Sequence, residues 1–284
     1  ATNLAGIAIR QDGAITVGDN TYSRLITLDG SSYATLEDHG GLTTPWGIAV
    51  APDGKIYVAD YGSSTVSRLE GMGQQPTFQA RISSPRYLAV ELAGTILVSR
   101  SSAIDRLNPV TGAVTTLPGV PGQPEKMLVD GSRTLTVDSQ GRVFKFENNA
   151  WSLLASGINS TRAVGLQDDR VYLLNGNGTL TVYQSGNLDV LANTGIAQPR
   201  SLTRNSHGWL VGGDGGALAM VDQAGVVTPI NIASLIANKP VYGLYELSAE
   251  ANAMLSGDGS GYTLSRLTIT PPQEPPAAGT VVHS

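Results

Sequence analysis

Arg86, Arg162 and Arg200 each follow directly on a Pro or Thr that opens an apolar stretch (Pro85, Thr161, Pro199). Arg100 lies in a loop whose counterparts elsewhere in the chain carry Asp. Guanidinium groups in equivalent places suit carboxylates, because the planar Arg fork meets both oxygens at once. Trp46, Tyr61, Tyr87 and Tyr242 stand at neighbouring or equivalent positions. Aromatic faces beside Arg add affinity for peptide backbones and sugars. The candidate ligand-binding set is therefore Trp46, Tyr61, Arg86, Tyr87, Arg100, Arg162, Arg200 and Tyr242. The competing expectation is an ordinary solvated rim with a few aromatics packed between elements.

Further along the same stretches stand Glu91, Asp130 and Glu246. If they face a common channel, they could hold a hard divalent cation through oxygen ligands; otherwise they are solvated turn residues. No cofactor is expected unless this cation is present. The usual instruments of catalysis are scarce. The chain has no Cys and three His. His39 precedes Gly40-Gly41 in a loop, His207 sits in a turn and His283 near the end, so no two are expected in one site. No paired His and Glu at short spacing is counted, and no Gly-x-Ser-x-Gly nucleophile elbow occurs. No catalytic residue is assigned.

These residues are positioned by a repeat. Its clearest copy runs Pro45-Trp46-Gly47-Ile48-Ala49-Val50, Pro52-Asp53-Gly54, Ile56-Tyr57-Val58-Ala59-Asp60, then Val66-Ser67-Arg68-Leu69. The opening position recurs at Leu4, Pro45, Pro85, Pro124, Thr161, Pro199 and Pro240. The period of about 40 residues is that of a propeller blade, and no helical stretch offers a solenoid instead. Within each unit a short apolar strand meets a turn at Gly13, Gly54, Gly94 or Gly208, where a positive φ is available. Arg133, Arg170 and Ala249 break that turn signal. A β-branched second strand, a polar loop, a third strand and a fainter fourth follow. The expected fold is all-β, a seven-bladed β-propeller of four-stranded antiparallel blades over residues 1–270. Residues 271–284 form a Pro-rich tail, returning through Thr280-Val281-Val282 as a last strand or remaining a linker.

Residue types that recur at one place in several blades are read as serving the blade. This assigns Asp19, Asp60, Asp138, Asp214 and Asp258 to turns, and Arg24, Arg68, Arg106, Lys145 and Arg266 to third strands. Positions that break the pattern are left for function.

Composition agrees with many tight turns: 34 Gly and 15 Pro in 284 residues, with 14% charged. A net charge of −5 gives no general field for polyphosphate, so no nucleic-acid partner is expected. No apolar run reaches the ~18 residues of a membrane helix. The start at Ala1 suits a mature exported chain and equally a trimmed one; secretion or a periplasmic location is the expectation.

The run between Pro45 and Leu69 resembles the NHL repeat: Pro-x-Gly-hydrophobic-Ala-hydrophobic, Asp-Gly, Tyr-Val-Ala-Asp, Arg-hydrophobic. The likeness is good in the first unit, partial in the third and sixth, and fainter in the others. It implies a propeller, and such propellers include sensor ectodomains, protein- and RNA-binding scaffolds, streptogramin lyases and gluconolactonase-like hydrolases. With no imidazole pair counted, the expected function is capture of a protein, peptide or glycan ligand. The alternative is a lyase or hydrolase with a carboxylate-held metal in the central channel, and a third reading is a structural spacer.

Overall fold

Each hairpin closes where a short polar turn interrupts the apolar alternation. In the second unit Asp53 accepts from the Lys55 amide at 3.2 Å, and Gly54 takes φ 82°, which leaves an L side chain strained. Where that Gly is missing the hairpin is shorter. Arg133 pairs directly with Asp130 and Arg170 with Gln167, and the two-residue loop of the latter carries Asp168 at φ 53°.

The computed structural model describes residues 4–268 apart from 11, 30–31, 33, 70–76, 121, 131–132, 139, 157–160, 206, 231–240, 249–250 and 259–260. Six four-stranded antiparallel meanders follow one another, over residues 4–39, 45–81, 88–116, 124–155, 161–193 and 199–229. A seventh sheet holds three strands, Val241–Ser248, Ala251–Asp258 and Gly261–Thr268. The expectation of seven four-stranded blades is thus corrected: among the described residues there are six such blades. The sequence that follows the last strand carries Pro271, Pro272, Pro275 and Pro276, residues with no amide N–H to give a ladder. The tail, with Thr280-Val281-Val282, falls outside the described residues.

The first strands sit side by side around the ring. Leu4–Ile9 neighbours Pro45–Val50 on one flank and Val241–Ser248 on the other, which closes the circle. Second strands are sandwiched between adjoining sheets, so Ile56–Asp60, Ile96–Ser99 and Gly208–Gly213 are buried throughout. The core therefore lies between blades as a series of clusters. One joins the first two blades through Leu25, Leu42, Ile48, Val58 and Leu69. Another joins the fifth and sixth, where Trp209 stacks on Tyr172 at 4.5 Å. Fourth strands form the rim, as the exposed Leu188 and Val190 of Asn187–Asn193 show.

Candidate functional site

The residue after each anchor owes its position to a β-bulge. The register of the first strand slips between Pro45 and Gly47, Pro124 and Lys126, Thr161 and Ala163, and Pro199 and Ser201. An extra residue at a bulge leaves the pleat and can be aimed away from the ladder. Trp46, Arg162 and Arg200 are such residues. In the third blade the strand begins later, at Leu88, and Arg86 and Tyr87 precede it, held by the Arg86 amide to Ser99 O at 2.9 Å and the Tyr87 amide to Ser99 Oγ at 3.0 Å.

Four consecutive blades meet at a cavity of about 450 Å³ lined by Tyr87, Lys126, Val137, Thr161, Arg162, Gln198, Pro199 and Arg200. Tyr87, Arg162 and Arg200 come together there. Lys126 extends along the same wall and donates to the Arg162 carbonyl. Thr161 is fixed by its hydroxyl to Gly141 O at 2.8 Å. Arg200 is engaged by Asp214 through Nε and, at 3.1 Å, through Nη2. Arg162 is exposed, and among the described residues no carboxylate pairs with it. Lys126, Arg162 and Arg200 thus face one polar space, with Asp214 held against Arg200 beside it.

Arg86, Trp46 and Tyr61 form a separate stack. The Arg86 guanidinium carbon lies 6.0 Å from the Trp46 ring centroid, and Trp46 lies 5.2 Å from Tyr61. Arg86 Nε is buried without a hydrogen-bond partner. Arg100 joins neither group: it pairs with Asp105 of its own blade at 2.8 Å. The side chain of Tyr242 is outside the described residues.

Of the three acids, Glu91 is gripped by Arg106 through both oxygens, at 2.6 and 2.7 Å, and also accepts from Thr95. The side chains of Asp130 and Glu246 are outside the described residues. Among the described residues no three His, Asp or Glu side chains gather in a way that could ligate one ion.

The repeat's acids divide in two. Asp19, Asp60 and Asp138 pair in register with anchors Leu4, Pro45 and Pro124, and all are buried. Asp60 accepts from the Thr43 and Thr44 amides at 2.9 and 2.6 Å, and Asp138 from Gln140 and Arg142. Asp214 does not belong with them. Gly213 takes the equivalent place opposite Pro199, so Asp214 falls one residue later and reaches Arg200. Among the third-strand bases, Arg68, Arg106, Lys145 and Arg266 share a register, and Arg24 lies outside it, bridging Asp19 and Asp38.

Two expectations about histidine also change. His39 ends the strand Thr35–His39 and is buried, with Nε2 2.7 Å from Glu37 Oε2. A short-spaced His and Glu pair therefore exists, on the outermost strand of the first blade and apart from the cavity of blades three to six. Lys126 and Gln198 are cavity residues that sequence reasoning did not assign to the site, and Asp214, read as a turn residue, instead pairs with Arg200 at the cavity edge. Lys126 follows the bulged Glu125, and that adjacent acid hid the cation in a charge-neutral pair.

Residues 42–69 match the NHL repeat family model. No protein of curated function matches the sequence. Solved structures share the fold at low identity. A virginiamycin B lyase of Staphylococcus aureus with quinupristin is 12% identical, with TM-score 0.75 over 95% of this chain and 96% of that one. YCF48 bound to D1 peptide is 14% identical, with TM-score 0.76 over 95% and 94%. A chain of the nidogen/laminin complex is 16% identical, with TM-score 0.56 over 67% and 80%. With one NHL repeat matched at residues 42–69 and the fold of solved propellers shared over as much as 95% of the chain, this is a β-propeller similar to the NHL type.

Proposed function

We propose that the chain is a binding propeller that captures a peptide or protein segment by an acidic group. The observation that carries this reading is the cavity shared by Lys126, Arg162 and Arg200, in which Arg162 has no paired carboxylate among the described residues. A guanidinium at the wall of a concave space is a ready partner for a carboxylate, and the Trp46, Tyr61 and Arg86 stack offers an adjoining surface for apolar or backbone contacts. The chain's overall charge of −5 makes this cationic patch local, so it selects acids by contact rather than by long-range attraction. The likeness to YCF48 bound to D1 peptide and to the nidogen/laminin complex supports a binding role at the level of fold.

Selection from a display library of random twelve-residue peptides tests it. Captured peptides should be enriched in Asp and Glu. Arg162→Ala should weaken their binding about 10- to 100-fold, the ~1.5–3 kcal/mol of a hydrogen bond to a charged group. Peptides without acidic enrichment, or unchanged affinity in the variant, would overturn the reading.

A further inference from the structure

Asp214 is set apart from the other loop acids by three observations. Its register is one residue late, because Gly213 fills the place that Asp60 fills in the second blade. Its side chain is 36% exposed, against 0% for Asp19 and Asp138. It stands at the centre of the run Gly212-Gly213-Asp214-Gly215-Gly216, with Gly215 at φ 65° and open space around its α-carbon. Gly212 and Gly213 end the buried second strand, whereas Gly215 and Gly216 follow Asp214 in a short turn, so the acid stands just outside the strand that holds its counterparts. The carboxylate at the end of this arm fits both oxygens to the Arg200 fork, at the edge of a cavity that Asp214 does not itself line.

We infer that Asp214 is a displaceable internal carboxylate. It occupies Arg200 in the free protein and gives that guanidinium up to the carboxylate of an incoming ligand. The inference rests on the carboxylate reading of the cavity and adds a regulator to it. An exposed ion pair is screened by water and weakly held, so exchange of one carboxylate for another costs little. The ligand gains most where Lys126 and Arg162 reach it in addition, which Asp214 on its turn does not offer. The acid therefore acts as a threshold: it rejects weak or singly charged anions and admits those that engage several cations together.

The test is a titration with succinate at fixed ionic strength, read on the Nε–H nuclear magnetic resonance signals of Arg162 and Arg200, with neutral succinamide as the control. Asp214→Asn should bind succinate about fivefold more tightly than the wild type, with the larger change at Arg200. Succinamide should move neither signal. Equal or weaker binding by the variant would overturn the inference, because it would mean that Asp214 positions Arg200 rather than competing for it. If neither protein shows a succinate response, the carboxylate reading of the cavity itself fails. A wild type that responds beside a variant that is no tighter removes only the gate.

Discussion

Asp60 and Asp214 look interchangeable in sequence, each following an apolar strand and opening a polar loop, yet one is buried on two backbone amides and the other reaches for an arginine. The difference is one residue of register, set by a glycine pair, and in a strand one residue reverses the facing of a side chain. Tyr57 shows a second effect of place. It is fully buried between blades, and burial raises its hydroxyl above the usual phenol range, offset in part by Arg68. An acid whose folded value is raised contributes fully below its unfolded value, near pH 10, and its contribution falls as the pH rises through and beyond that point. Unfolding by urea should therefore show stability declining above about pH 10, and Tyr57→Phe should flatten that decline. An unchanged alkaline limb in the variant would assign the loss to other groups.

At the scale of elements, the bulge after each anchor matters most for the site. Gly47 shows how tightly neighbouring first strands approach: a Cβ there would lie 2.2 Å from the Arg86 carbonyl oxygen. Gly47→Ala should cost about 1–3 kcal/mol through this overlap. It should also displace Arg86 from Trp46, seen as a change in Trp fluorescence together with a lowered urea midpoint. A variant as stable as the wild type would mean the two blades can separate freely there. Strand positions were legible because β-branched and apolar residues alternate between turn residues, as in Ile56-Tyr57-Val58-Ala59 before Asp60. The bulges were not, since Trp46, Arg162 and Arg200 share no residue type that announces one. Equivalent placing of the Arg residues could be read from the repeat, whereas Arg100 turning onto Asp105 depends on a third-strand acid that the spacing alone does not single out.

At the scale of the whole molecule, the period revealed the ring, but it led to an expectation of seven four-stranded blades where six are found among the described residues and the last sheet has three strands. The period marks where a unit opens, not how many of its strands carry amides able to pair. The cavity is also a property of the ring, since its lining spans Tyr87 to Arg200 and comes from four successive blades. No single repeat contains it. A ligand seated there has affinity only for the assembled circle and none for an opened one, so it acts as a clasp: at a hundredfold excess over its Kd it should add about 2.7 kcal/mol to global stability. Protease digestion and thermal melting with and without a selected acidic peptide would register this as slower cutting and a higher Tm. An unchanged melt at saturation would mean that the peptide grips one blade only. A ligand held across four blades would thereby link binding to circular integrity and guard the ring against coming undone.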